Sequence, residues 1–268
     1  MRYLIGTSTW LQKDWVGNFY PPNTKPSDFL IEYAKHFPTV EIDSTFYAVP
    51  RRSVVESWYE KTPPNFLFSA KLPKAITHER RLCDCAETLT LFLDTISHLR
   101  EKLGVLLIQL PPDFAATLET VEVMKTFLHA LPTREFRFAL EVRHASWLKE
   151  KFFERLRQTG VALTLTDLPV MSHVRVRTAS FMYVRWLGDR RLLSEPFVGL
   201  KLDKTADMAA WANMLRQEEG DVLFGYFNNH YAGHSPSSVR IFNSLLSAHE
   251  SGNFGAKALS TPTFDALP

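Results

Sequence analysis

Eight short apolar runs, separated by longer stretches of helical period, constrain this chain more than any other feature of its sequence. They begin near Tyr3 to Gly6, Thr39 to Asp43, Phe66 to Lys71, Val105 to Gln109, Phe136 to Arg143, Val161 to Thr166, Phe181 to Trp186 and Val222 to Asn228. A strand this short and this apolar is buried on both faces, and parallel strands of one sheet need a crossover between them, usually a helix. In the intervals Ala86 to Lys102, Leu118 to Leu131, Trp147 to Thr159 and Lys204 to Gln217, apolar residues recur three and four positions apart, which predicts those helices. Repeated βα units of this kind predict an α/β fold, a single TIM-type (β/α)8 barrel, and 268 residues suit one such barrel. The barrel is placed at residues 1–250. Residues 251–268 carry Gly, Ser and Pro without apolar periodicity and read as a weakly ordered C-terminal tail.

Two links depart from the repeat. Between the sixth and seventh runs, Leu168 to Ala179 is short and holds Pro169 and an alternating Arg175-Val176-Arg177, so one regular barrel helix is expected to be missing there. Between the seventh and eighth runs, Leu187 to Leu202 is a long insertion with Gly188, Pro196 and Gly199, and loops of this length tend to be functional. A lid is the expectation.

A barrel strand buried on both faces has no use for charge, so ionisable residues at strand ends need a reason. Here they recur at the C-terminal ends: Glu41 and Asp43, Ser69 and Lys71, Gln109, Glu141 with Arg143 and His144, Arg185, and Asn228 with Asn229 and His230. Positions two apart share a strand face, so each pair can point into one barrel mouth, the end that carries the active site in barrel enzymes. Two readings follow. In one, Lys71, Arg143 and Arg185 bind an anion while Glu41 or Glu141 moves a proton, with Lys71 also a nucleophile if desolvated. Gln109, Asn228, Asn229 and His230 would orient the ligand, Tyr47, Trp10 and Trp147 would wall it in, and His78 would join a basic rim. In the other, the charges pair with one another as a buried network that closes the barrel.

The same residues carry a family likeness. Trp15-Val16-Gly17-Asn18-Phe19-Tyr20-Pro21, Glu41-Ile42-Asp43-Ser44-Thr45-Phe46-Tyr47, Gln109-Leu110-Pro111-Pro112, Glu141-Val142-Arg143-His144-Ala145-Ser146-Trp147 and Tyr183-Val184-Arg185-Trp186 form an ordered series. With Trp10, Phe68 to Lys71 and Thr77-His78, this series resembles the YecE-like family, domain of unknown function 72, over roughly residues 3 to 248. The resemblance implies a TIM-type barrel and no particular reaction; its further likeness to endonuclease IV-type and sugar-isomerase barrels is an analogy of fold. Three departures from the family pattern stand out: Asp43 where Asn is usual, Leu187 where a His commonly precedes Gly188, and Ser237-Ser238 in place of Asn-Ala.

Three function classes remain. The favoured one is an enzyme acting on a small anionic molecule, such as a phosphorylated one, by acid/base chemistry, with no cofactor assigned. The second is a divalent-metal hydrolase or isomerase drawing on Glu41, Asp43, Glu141, His144, Asp167, His230 and His234, although Lys71, Arg143 and Arg185 would repel the ion. The third is a nucleic-acid or ligand-binding module, with Trp10, Trp15, Tyr20, Tyr47, Trp147 and Trp186 as stacking platforms. A net charge of +2, from 31 basic and 29 acidic residues, means that a nucleic acid would have to be held by a local patch. No signal segment or membrane-spanning stretch is evident, and Cys83 and Cys85 are too close for an unstrained disulfide, so a cytoplasmic protein with no membrane partner is expected. Gly-rich phosphate loops, G-x-S-x-G elbows and dinucleotide fingerprints are absent from the sequence. Oligomeric state is not written in these patterns.

Overall fold

The eight apolar runs become eight parallel strands hydrogen-bonded in sequence order into a closed barrel. They are β1 (Arg2–Thr7), β2 (Thr39–Ile42), β3 (Leu67–Lys71), β4 (Leu103–Gln109), β5 (Arg137–Glu141), β6 (Ala162–Thr166), β7 (Phe181–Trp186) and β8 (Val222–Phe227). This computed structural model describes residues 1–171 and 174–248. The tail predicted at 251–268 lies outside the described residues.

Around the barrel run α1 (Phe29–Ala34), α2 (Arg52–Glu60), α3 (Ala86–Ile96), α4 (Leu118–Ala130), α5 (Glu150–Thr159), α6 (Thr205–Arg216), the single turn α7 (Asn229–Ala232) and α8 (Ser235–Ser247). Local chemistry sets several boundaries. Thr117 caps α4, its hydroxyl accepting from the Thr120 amide at 3.2 Å, and Gly160 ends α5 in the left-handed conformation. The helix predicted over Ala86 to Lys102 tightens into a 3-10 segment after Ile96, where Arg100 takes a positive φ of 52°. That predicted from Trp147 begins at Glu150, because Trp147 closes a separate short turn, Ala145–Trp147.

The two irregular links fall where the sequence places them. Among the described residues, the β6 to β7 connection holds one 3-10 turn, Pro169–Met171, and no α-helix. Proline supplies no amide hydrogen for continuing a helix. The insertion Leu187 to Leu202 holds no helix or strand, and its first part, Leu187 to Leu192, lines the cavity at the barrel mouth. No helix of the described residues is long and apolar enough to cross a membrane.

Apolar burial divides into two clusters. The larger lies between sheet and helices, where Phe68, Phe92, Ile108, Leu140, Val184, Trp186 and Phe242 are fully buried. The smaller fills the barrel itself with Leu4, Val105, Leu107, Ala139, Phe181 and Phe224, topped by Tyr183 and Tyr226. Strand register puts Glu41 beside Ser69, Gln109 beside Glu141, Thr166 beside Arg185 and Arg185 beside Tyr226. Apolar filling therefore gives way to hydroxyls and then to charge along the barrel axis.

Candidate functional site

The hydroxyl tier comes first. Tyr226 meets the Ser69 and Thr39 hydroxyls at 2.8 Å each, and Tyr183 donates to Glu41 Oε2 at 2.6 Å. Above it sits Arg185, 2% exposed, whose Nε and Nη2 both donate to Glu41 Oε1 at 3.0 and 2.7 Å. Its Nη1 donates to Glu141 Oε2 at 2.7 Å, and Nη2 also reaches Asp43 Oδ1 at 3.4 Å. Arg143 Nε takes the remaining Glu141 oxygen at 2.7 Å. Burial alone would raise the Glu141 carboxyl, but the Arg185 and Arg143 guanidiniums outweigh it and hold the group down at about 2. Burial does raise Glu41, against the pull of Arg185 and with the push of Asp43. The two glutamates expected to move a proton are thus fully buried, outside the walls of the mouth. They hold the arginines in place.

Over this tier opens a cavity of about 690 Å³. Lys71 closes its floor from the end of β3, 8% exposed, with Nζ 3.9 Å from the centre of the Phe46 ring. The nearest carboxylate oxygen, Asp43 Oδ1, stands 4.0 Å away, beyond hydrogen-bond reach. Among the described residues the Lys71 ammonium donates no hydrogen bond. Burial lowers its pKa to about 8, only partly offset by Asp43. Arg143 lines the same floor with its side chain 26% exposed, and its two terminal nitrogens have no protein acceptor among the described residues. Gln109 donates to the Leu110 carbonyl at 3.2 Å and lies 3.5 Å from His78 Nε2. Burial, then Lys71 and Arg143, push the His78 imidazole below its ordinary pKa.

The insertion supplies the far wall through Asp189, Arg190, Arg191 and Leu192, with Lys204 beside them at the start of α6. Its first turn is pinned. Asp167, at the end of β6, accepts the Leu187 and Gly188 amides at 2.6 and 2.8 Å. Gly188 has φ 67°, and a Cβ there would stand 2.0 Å from the His230 carbonyl oxygen, so only glycine fits. Sequence reasoning weighed Asp167 as a metal ligand and passed over Arg190, Arg191 and Lys204; the signal available was the charged run Asp189-Arg190-Arg191 inside a long loop. Six cations line the cavity against three carboxylates, Asp43, Asp167 and Asp189, and even with the two glutamates beneath, the balance favours an anion.

Of the other predicted residues, Asn228 and Tyr47 line the cavity with His78 and Gln109. Asn228 donates to the Ser8 hydroxyl at 3.1 Å and meets His230 Nδ1 at 2.8 Å. Four expectations need correction. His230 packs edge-on to Phe197 behind Asn228 and is no part of the wall. Asn229 is buried with its oxygen occupied by the Ser235 amide and hydroxyl. Trp10 is buried against Trp58. Trp147 stacks on Phe114 and donates its indole hydrogen to the Phe114 carbonyl at 2.7 Å. Trp15, Tyr20 and Trp186 are equally buried, so of the six proposed stacking rings Tyr47 alone, at 74% exposure, faces solvent.

The expected metal set also fails to converge. Glu41 and Glu141 are taken by guanidinium groups and Asp167 by backbone amides, while His144 and His234 use only Nδ1, on the hydroxyls of Ser146 and Ser237. Among the described residues no three His, Cys, Asp or Glu side chains gather as ligands. This donor set does not fit a divalent ion.

Fold and site together define a parallel (β/α)8 barrel with a buried carboxylate–guanidinium tier beneath a cationic mouth. The chain belongs to the DUF72 family, "Protein of unknown function DUF72", which it matches over residues 4–262. It is 31% identical over 281 residues to UPF0759 protein YunF of Bacillus subtilis (strain 168), covering 92% of this chain and 96% of that protein. With UPF0759 protein YecE of Escherichia coli (strain K12) it shares 34% identity over 168 residues, 61% of this chain, and so spans 58% of that relative's length. A DUF72 family protein from Thermotoga maritima MSB8 has the same fold, with TM-score 0.78 and 27% identity over 92% of this chain and all of that one.

Proposed function

We propose that the protein is an enzyme that binds a small anionic molecule, such as a phosphorylated one, in the barrel mouth and moves a proton there. One observation carries the reading: at the cavity floor, Lys71 and the terminal nitrogens of Arg143 present donors that no protein group among the described residues uses. Both residues line the cavity, so these donors are open to a ligand, and a bound anion would supply their acceptors. The planar edge of Arg143 suits a phosphate or carboxylate, and Arg190, Arg191 and Lys204 add field at the rim. Gln109 and Asn228 orient the remainder of the ligand. Lys71 and Asp43 are the pair placed to exchange a proton with it, since a lysine titrating near 8 passes readily between both states at physiological pH. Glu41 and Glu141 serve as positioning residues through Arg185 and Arg143.

A nucleic acid is the disfavoured partner, with one exposed ring at the mouth in place of a stacking platform. A cytoplasmic setting is supported by Cys83 and Cys85 standing as free thiols.

Thermal unfolding in increasing inorganic phosphate tests the reading. A saturable rise in melting temperature is expected, with half-saturation about tenfold higher in Arg143→Gln, the loss of one charge-assisted bond. Phosphate, pyrophosphate and citrate all leaving the melting temperature unmoved would reject an anion site.

A further inference from the structure

We infer that Lys71 is an amine nucleophile and that the substrate is an aldehyde or ketone bearing an anionic group, captured as an imine on Lys71 Nζ. The inference rests on the anion reading above and narrows it to a chemical class.

A lysine that merely balances charge sits hydrogen-bonded to its counter-ion, and Lys71 does not. Its Nζ lies over the face of Phe46 with Asp43 Oδ1 at 4.0 Å, an ion-pair separation too long for a direct hydrogen bond. Desolvation favours the neutral amine. The nitrogen faces a cavity whose other cations can hold the substrate's anionic end, as a lysine nucleophile in a desolvated, cationic setting requires. The contrast with Lys102 is instructive. That lysine is also buried, yet donates to the Tyr59 and Thr62 carbonyls at 2.6 and 2.7 Å and is tied to structure.

The chemistry balances with these groups. The Nζ lone pair forms a bond to the carbonyl carbon, and the carbonyl π pair moves to oxygen, which takes a proton. Loss of that hydroxyl as water, together with a proton from nitrogen, leaves the carbon–nitrogen double bond. Asp43 is placed to deliver and recover the protons. No oxidant or reductant is consumed.

The test is borohydride trapping of the intact protein with glyoxylate, pyruvate and glyceraldehyde 3-phosphate, followed by peptide mass spectrometry. At pH 7, Lys71 should be reductively alkylated about tenfold or more ahead of the exposed Lys35 and Lys125, because a larger fraction of it is neutral. Labelling should climb to a plateau above pH 8, fall when inorganic phosphate is added, and vanish from this site in Lys71→Arg. Labels spread over exposed lysines with Lys71 unmodified by all three compounds would overturn the imine. If phosphate still raised the melting temperature, the anion site would survive that result; if it did not, both readings would fall.

Discussion

Arg185 and Lys71 are both cations drawn into one barrel, and their surroundings treat them in opposite ways. Arg185 directs four hydrogen bonds at Glu41, Glu141 and Asp43, and Tyr183 completes the shell around Glu41. Lys71, at the next level toward solvent, has an aromatic face beneath it and, among the described residues, no acceptor within hydrogen-bond distance. A buried charge with its donors satisfied is a structural part, held by partners that cannot leave without cost. A buried charge with its donors idle is unfinished, and what finishes it is expected to arrive from solution. The tier under the mouth and the floor of the mouth thus use similar residue types for different ends.

The most severe way to break this comparison is to remove Arg185. Arg185→Met should leave Glu41 and Glu141 buried without their shared partner and cost about 3–5 kcal/mol of unfolding free energy, measured by denaturant titration at pH 7. A loss under about 0.5 kcal/mol, within the range of an ordinary surface substitution, would mean that the tier is hydrated and not a closed network.

How much of this could be read beforehand depends on which interactions decide it. The barrel was legible because each strand must be apolar on both faces, and the lack of an α-helix among the described residues after β6 because Pro169 and an alternating Arg175-Val176-Arg177 are incompatible with one. The polar mouth was legible from the period of two that links Glu41 with Asp43 and Glu141 with Arg143. Depth was not. Whether Glu141 touches solvent depends on Arg143 folding back over it at 2.7 Å, a choice of rotamer that spacing does not encode. The same limit applied to the aromatics: Trp10, Trp147 and Trp186 adjoin the polar strand ends in sequence but turn to the helix side of the sheet. Arg190 and Arg191 were missed because an irregular loop offers no period from which to predict a direction.

A gentler test uses pH on Lys71. Its folded pKa of about 8 lies below the ordinary 10.5, so between those values the unfolded chain binds more protons and stability must rise with pH. Below pH 8 the folded state bears the whole cost of the buried ammonium. Lys71→Met lacks that cost. It should match or exceed the parent at pH 7 by about 1–3 kcal/mol and lose the advantage by pH 10.5, while losing phosphate binding. A variant less stable at pH 7, with a gap that pH does not change, would place Lys71 among the satisfied charges alongside Arg185.

The smallest effect belongs to the rim. Arg190 is exposed on the insertion and, among the described residues, bonds to no carboxylate, whereas Arg191 is held by Asp189 at 2.7 Å. Arg190→Gln should shift stability by less than about 0.5 kcal/mol. It should weaken phosphate binding about two- to threefold in dilute buffer and leave it unchanged at about 0.5 M salt, because an exposed charge acts through a field that salt screens. A loss that persists at high salt would show Arg190 touching the anion directly and would move the insertion from the rim of the site into its binding wall.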